Sequence, residues 1–521
     1  MGAISTKANS VFRDGVDGAH FPVKSEIRDL FKDVDSGVSQ VETAIQAAQD
    51  ADGDAAVAGA LAAQIYVEGK IGEPEGLAPL DEDGAVSKGY LKFKAADEIA
   101  FRAIEDRIVE TKVLSEAYGA DPTGTLGSSD ALQLILDNLG SRPARIVIGP
   151  GAWVFPEPVN IPDGKRIFID VDPSALMTTT NDIAILEYER PISGVGTDLW
   201  VRGGLWAFGG VAKSGGQAIR FKGRSITEHN NSIYITGIET RYFAKSIDLA
   251  YTRGTISDIK GLENGNTIYG GPDASFVRIR DGFDQNSDVP IRFTGTGEAA
   301  GVSNGLHISN YYSVGAKNRD FWITRYDLVQ IVDCSGDLGG TVGVDGDAAV
   351  YLEQCTHYSI IGGYFTSRGT AYDYQSPRIR RSSIYLEDCW GGVVEANLCI
   401  GFSDQNLRIV NTDPDGDYFG NLKARGNNFE GTTGNDEGDN TSLHIIGIGL
   451  ETFLNEGNSF TPIDDFNYSA TPTPRASIYA GPGTKAWKSI ANFLGDTEYT
   501  VPLSVGNMEN ISNTWSARVA Q

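Results

Sequence analysis

Long apolar runs are missing from this 521-residue chain, and no stretch is long enough to cross a bilayer as a helix. The N-terminus lacks the basic, apolar and small-residue segments of a secretory signal. The chain is therefore expected to be made and folded in a cytoplasm, without membrane insertion. Cysteine is scarce: Cys334, Cys355, Cys389 and Cys399 include no C-x-x-C pair and no Cys/His spacing, which argues against disulfides and metal sites. A buried stack of small apolar side chains is the expected role, with Cys355 and Cys389 in equivalent positions. The five histidines form no spaced pair, and neither a Ser/His/Asp arrangement nor a phosphate-binding loop is present. Positive charge is short as well. Lys and Arg total 43 against 69 Asp and Glu, a net charge of −26, so a bare phosphate backbone is a poor partner and no nucleic acid is expected. A neutral or sugar-like ligand, or a cationic surface, is easier to accommodate.

Glycine, at 63 residues, together with frequent Asn and Asp, suits many short strands and tight corners. One pattern recurs: Phe321-Trp322-Ile323 through Tyr326, Val350-Tyr351-Leu352 through Cys355, Ile384-Tyr385-Leu386 through Cys389, and Leu443-His444-Ile445 through Ile448. The apolar-any-apolar triplet has the period of a strand with one buried face, and the further apolar residue after a two-residue break marks a corner. Successive copies start 29 residues apart (321 to 350) and then 34 (350 to 384), a solenoid spacing. The fold expected is an all-β solenoid, a right-handed parallel β-helix whose coils are held by their neighbours.

Along the chain, residues 1–33 read as a short arm in which Ser25 could cap a helix starting near Glu26. Residues 34–72 carry a heptad seam, Val34, Val38, Val41, Ile45 and Ala48, too short to fix the number of helices; one amphipathic helix packed on its own chain is the alternative. A turn-rich linker spans 73–94, broken by Pro79 and Gly84. A second helical seam, Phe101, Ile104, Ile108 and Thr111, falls in 95–114. The β-helix is assigned to 115–460 and a small β-rich cap to 461–521, an irregular tail being the alternative there. Long interruptions at 281–290, 336–347 and 368–381 are expected as insertions gathered on one face, where binding surfaces often lie.

Three stretches resemble known families. Val11-Phe12-Arg13-Asp14-Gly15-Val16-Asp17-Gly18 with Pro22 to Arg28 is similar to the opening of bacteriophage tail-fibre and tailspike chains. Gly76 to Leu91, with its Leu-Asp, Gly, Val and Tyr-Leu pattern, is similar to a linker of phage tail fibres. Ala117-Tyr118-Gly119-Ala120-Asp121, then Ser129 to Leu136, then Ala144 to Gly151 resemble the start of the pectate-lyase-like β-helix superfamily, in which a short helix closes the open end. Pro122-Thr123-Gly124 and Ser128-Ser129-Asp130 depart from the usual Asp-Gly turn and Asp-Asp-Thr, but at positions that are structural in the family. The resemblance to a phage tailspike implies a homotrimer, a virion component of the phage tail assembled in the host cytoplasm. It implies attachment to tail, baseplate or portal-adaptor proteins through Phe12, Arg13, Lys24 and Ile27, and a bacterial surface polysaccharide as partner.

Lining up the coils places Glu353 over Glu387, Gln354 over Asp388 and Tyr351 over Tyr385. Strands about 4.8 Å apart bring two carboxylates close enough to perturb each other, and glycosidases need such a pair. Glu353, Glu387 and Asp388 are the candidate catalytic residues. A solvated column neutralised by Arg378, Arg380 or Arg381 is the alternative. Trp322, Tyr351, Tyr385 and Trp390 are candidate sugar-binding aromatics, with Asp345 and Asp347 within reach; Asp333 and Asp404 are weaker candidates. Asp413-Pro414-Asp415-Gly416-Asp417 lacks the glycine and distal Glu of a calcium loop and reads as a turn. No metal or cofactor is expected, and nothing matches the Asp cluster and basic residue of polysaccharide lyases. Two readings follow: a polysaccharide-hydrolysing tailspike, or a non-catalytic receptor-binding or structural fibre on the same scaffold. A lyase is a third.

Overall fold

The computed structural model describes residues 110–504 apart from 193, 225–230, 297–302, 338–347, 367–381, 404, 412–421, 433–440, 448–452, 462–475, 481–486, 491–492 and 495–502. All of these belong to the second of two compact units, Met1–Arg107 and Ile108–Gln521. The residues expected to serve attachment, Phe12, Arg13, Lys24 and Ile27, the expected heptad seam and linker, Asp345, Asp347, Asp404, Arg378, Arg380, Arg381 and the stretch at Asp413 read as a turn lie outside the described residues.

Alternating apolar residues make each strand two-faced, and parallel stacking then puts like on like. The chain winds through three ladders in turn. The first opens with Glu110–Leu114, Ala144–Ile148 and Arg166–Val171, the second with Thr123–Gly127, Ala152–Val154 and Leu176–Thr179, and the third with Val159–Asn160, Ala184–Glu189 and Gln217–Lys222. All their pairings are parallel. The first two ladders form one 26-stranded sheet, because Val277–Gln285 and Ser303–Val314 run through both, and the third is a 13-stranded sheet. This is the right-handed parallel β-helix expected from the repeat.

Ladder strands are found on both sides of the 115–460 stretch. Glu110–Leu114 pairs with Ala144–Ile148, and Ala476–Ala480, Trp487–Ile490 and Leu503–Ser504 continue the ladders beyond Phe460. The helix Ser129–Asp137 buries Ala131, Leu132, Ile135 and Leu136 against the first coils, covering apolar core that a bare end would expose.

The core is built of columns. In the third ladder Ile219, Ile247, Ile268, Ile291, Phe321, Val350, Ile384 and Leu407 stack in register. Each is fully buried, a gain of about 1.5–3 kcal/mol per side chain. Where Phe293 follows in the neighbouring column, the strand below supplies Gly270; a Cβ there would lie 2.1 Å from the phenyl ring.

The corner between first and second ladders is short and regular. Gly237, Asp258, Asp333, Gly362, Ala396, Gly426 and Gly457 all take positive φ there, which Gly and Asx residues adopt at least cost. The residue after each is buried, the series ending in three asparagines, Asn397, Asn427 and Asn458. Asn427 Nδ2 donates to Val394 O at 3.0 Å and Asn458 Oδ1 at 2.8 Å, while Asn427 Oδ1 accepts from Asn397 N and Nδ2, both at 3.0 Å.

One expectation about interruptions needs correcting. Residues 281–285 are not an insertion but the second half of the strand Val277–Gln285, with Asp284 buried inside. The other two interruptions lie between the same pair of ladders. Residues 338–347 and 367–381 separate second-ladder from third-ladder strands, whereas 225–230 and 412–421 separate the third ladder from the first. All four cysteines are free thiols, and Cys355 and Cys389 occupy successive corners, donating to Ile323 O and Leu352 O at 3.5 and 3.4 Å. Burial raises the pKa of the Cys334 thiol to about 12.

Candidate functional site

The predicted columns are found in register. Phe321–Thr324, Ala348–Glu353 and Ser382–Glu387 are adjacent strands of the third ladder, pairing Trp322 with Tyr351, Tyr351 with Tyr385 and Glu353 with Glu387. Because Val350, Leu352, Ile384 and Leu386 enter the core, the period of two turns Tyr351, Glu353, Tyr385 and Glu387 to the outer face.

Glu353 is partly buried, and that burial lifts its carboxyl above the ordinary carboxylate range. The neighbouring Glu387 charge adds to the shift, while Arg325 and Arg319 oppose it. Tyr351 Oη donates to Glu387 Oε2 at 2.5 Å, a charge-assisted contact that fixes the carboxylate's orientation. Burial, then this bond, raises the tyrosine's own pKa. The site thus holds two carboxylates in different surroundings on adjacent strands.

Asp388 does not share their face. It sits at the following corner with φ of 51°, in line with Gln354 at 52° and Arg325 at 59°. Its N–H donates to Val410 O at 2.9 Å, and its charge reaches Glu353 only as a further repulsion. Trp390 belongs to another group at the turn into the first ladder. It is bridged to Thr356 and packs edge-on to His357 at 4.9 Å, and His357 Nδ1 lies 2.7 Å from Asp327 Oδ1.

The aromatics differ from expectation in exposure. Tyr351 and Tyr385 are each only 6% exposed, and with Ala348 and Val410 they form a small apolar cluster outside the main core, against which Trp322 packs. Their faces are taken by cations. Arg319 lies 4.0 Å from the Trp322 ring centroid and 3.8 Å from that of Tyr351. Arg292 lies over Trp322 at 4.0 Å, Lys245 over Tyr269 at 3.7 Å and Arg408 over Tyr385 at 4.9 Å. Sequence reasoning missed these cations although the signal was there: Ile291-Arg292-Phe293 and Leu407-Arg408-Ile409 are further copies of the apolar-any-apolar triplet, and the structure sets both in the same ladder. Such stacking orients a guanidinium while leaving its in-plane N–H groups for other partners.

A second aromatic column lies on the first ladder. Trp200 stacks on Phe168 at 4.3 Å and on Tyr234 at 5.1 Å, with Tyr234 exposed.

No family model and no curated protein sequence matches the chain. Among solved structures, it is similar to a tailspike protein variant of E. coli bacteriophage HK620 in complex with a hexasaccharide, at 12% identity and a TM-score of 0.47 over 86% of each chain. It is also similar to the A-module of the Azotobacter vinelandii mannuronan C-5 epimerase AlgE6, at 12% identity and a TM-score of 0.43 over 77% of this chain and 99% of that one. The family 28 exopolygalacturonase of Yersinia enterocolitica gives 10% identity and a TM-score of 0.43 over 78% of each. No functional assignment follows from similarity at this level, since β-helices carry unrelated activities.

Proposed function

We propose that the chain is a phage tailspike that binds a bacterial surface polysaccharide and hydrolyses it on the outer face of the third ladder. The observation that carries this reading is the pairing of Glu353 with Glu387 on adjacent strands. A strand spacing of about 4.8 Å is close to the ~5–5.5 Å that retaining glycosidases need between acid and nucleophile. Glu353, whose pKa is raised by burial, is the general acid that protonates the leaving glycosidic oxygen. Glu387, oriented by Tyr351, is the nucleophile that attacks the anomeric carbon; Glu353 then accepts a proton from the water that releases the sugar. Attachment to the phage tail through the N-terminal arm and assembly as a homotrimer belong to the same proposal, on the strength of the sequence resemblance.

Reducing ends released from host polysaccharide by wild type, Glu353→Gln and Glu387→Gln test the chemistry. Release is expected to fall at least 100-fold in each variant with binding retained; unchanged release in both removes the pair from the mechanism. One observation favours the non-catalytic alternative: Tyr351 and Tyr385 are nearly closed off, so neither ring face is open to stack a sugar. Saturable binding to host cells with no change in polysaccharide length supports that reading.

A further inference from the structure

The outer face of the third ladder carries cations over its aromatic rings. Lys245, Arg292 and Arg408 make no ion pair among the described residues. Nε of Arg292 and Nε of Arg408 are buried without an acceptor. Arg319 is held between the Trp322 and Tyr351 rings, and both it and Arg292 lie 4.0 Å from the Trp322 centroid. Cations gathered over the same rings repel one another, and the rings offset only part of that cost. Of the nearby carboxylates, Glu387 is engaged by Tyr351, and Glu353 faces Arg325 and Arg319. What would complete this surface is a set of external anions spread along the ladder, where Arg292 and Arg408 stand in one column with Trp322, Tyr351 and Tyr385 between them, about 19 Å apart at about 4.8 Å per strand.

We infer that the polysaccharide bound here is acidic, carrying carboxylate, phosphate or sulfate groups that are taken by Arg292, Arg408 and Lys245. The inference rests on the polysaccharide reading above and narrows it to a substrate class. Planar guanidinium forks suit such oxyanions, pairing with two oxygens at once. The rings would serve as platforms for the cations, with the sugar held through its charge.

The test is binding of the full chain to an array of purified bacterial capsule and O-antigen polysaccharides, acidic and neutral, at low and high salt. The expected result is binding confined to acidic polymers, weakened at least tenfold between 50 mM and 500 mM salt as roughly expected for screened charge. The double variant Arg292→Gln/Arg408→Gln should lose at least tenfold in affinity with an unchanged melting profile, and the Lys/Lys variant should recover part of the loss. Binding to neutral polymers that the Gln variant retains overturns the inference and leaves the polysaccharide reading standing. An altered oligomeric mass of the Gln variant with glycan binding intact also overturns it, by assigning the cations to contact between copies. Binding to no polysaccharide overturns both.

Discussion

Asp284 shows how far a single residue's setting can depart from its appearance in sequence. Among neighbouring acids it reads as part of an exposed loop, yet its side chain is buried inside the coil. Oδ2 accepts from Thr267 and, at 3.0 Å, from Ser287, whereas Oδ1 has no partner. Burial raises its pKa from 3.8 to about 6, and buried Asp320 adds to the rise. A carboxyl with a raised folded pKa binds its proton more tightly folded than unfolded. Its contribution to stability is therefore full below pH ~4 and is lost as the pH rises through ~6, a change of about 3 kcal/mol. Melting temperature is expected to fall over that window more steeply in wild type than in Asp284→Asn. Parallel pH profiles of the two proteins would refute the assignment. Hydropathy could not reveal this residue, because its burial comes from Thr267, Ser287 and Asn264, polar side chains drawn together by the winding of separate coils.

At the scale of elements, the asparagine series is a hydrogen-bonded spine within the first corner. Asn427→Ala removes the acceptor used by two donors of Asn397 and leaves Asn458 Oδ1 without Asn427 Nδ2. A loss of about 2–4 kcal/mol is expected from buried polar groups left unpaired, measurable as a shift in the denaturation midpoint. Gln is too long to replace it, whereas surface Asn substitutions should be nearly silent. The third ladder was the legible element, since Phe321-Trp322-Ile323 and its copies bury one face and show the other in a simple period of two. The corner was not read, although Arg425-Gly426-Asn427 and Glu456-Gly457-Asn458 repeat its pattern. Its rule is set by backbone φ at the first residue and enclosure at the second, and that rule admits Ile259, Cys334 or Asn397 at the same place. The pairing of Glu353 with Glu387 was readable because register follows from the apolar columns. The closure of Tyr351 and Tyr385 was not, because the cations covering them come in part from neighbouring strands and from Arg319 outside the strand itself.

Across the whole molecule, net charge proved a poor guide to the local field. A total of −26 pointed toward a neutral or cationic partner, yet one outer face presents Lys245, Arg292, Arg319 and Arg408 over aromatic rings. A bound ligand responds to the charges beside it far more than to the sum over a long solenoid. The tailspike reading makes a further prediction at this scale: light scattering should give three times the 55.8 kDa chain mass, and a monomer mass at micromolar concentration would count against it.

The first corner has a consequence for how such a chain can change. With two residues between strands in most coils, and the second one anchored inside, this edge works like the binding of a book: it fixes the advance from each turn to the next. Both other edges tolerate segments of very different length, as 338–347, 367–381 and 412–421 show. Loops can therefore be lengthened, shortened or exchanged at those two edges while the pages stay aligned, so new recognition surfaces can arise without a new scaffold.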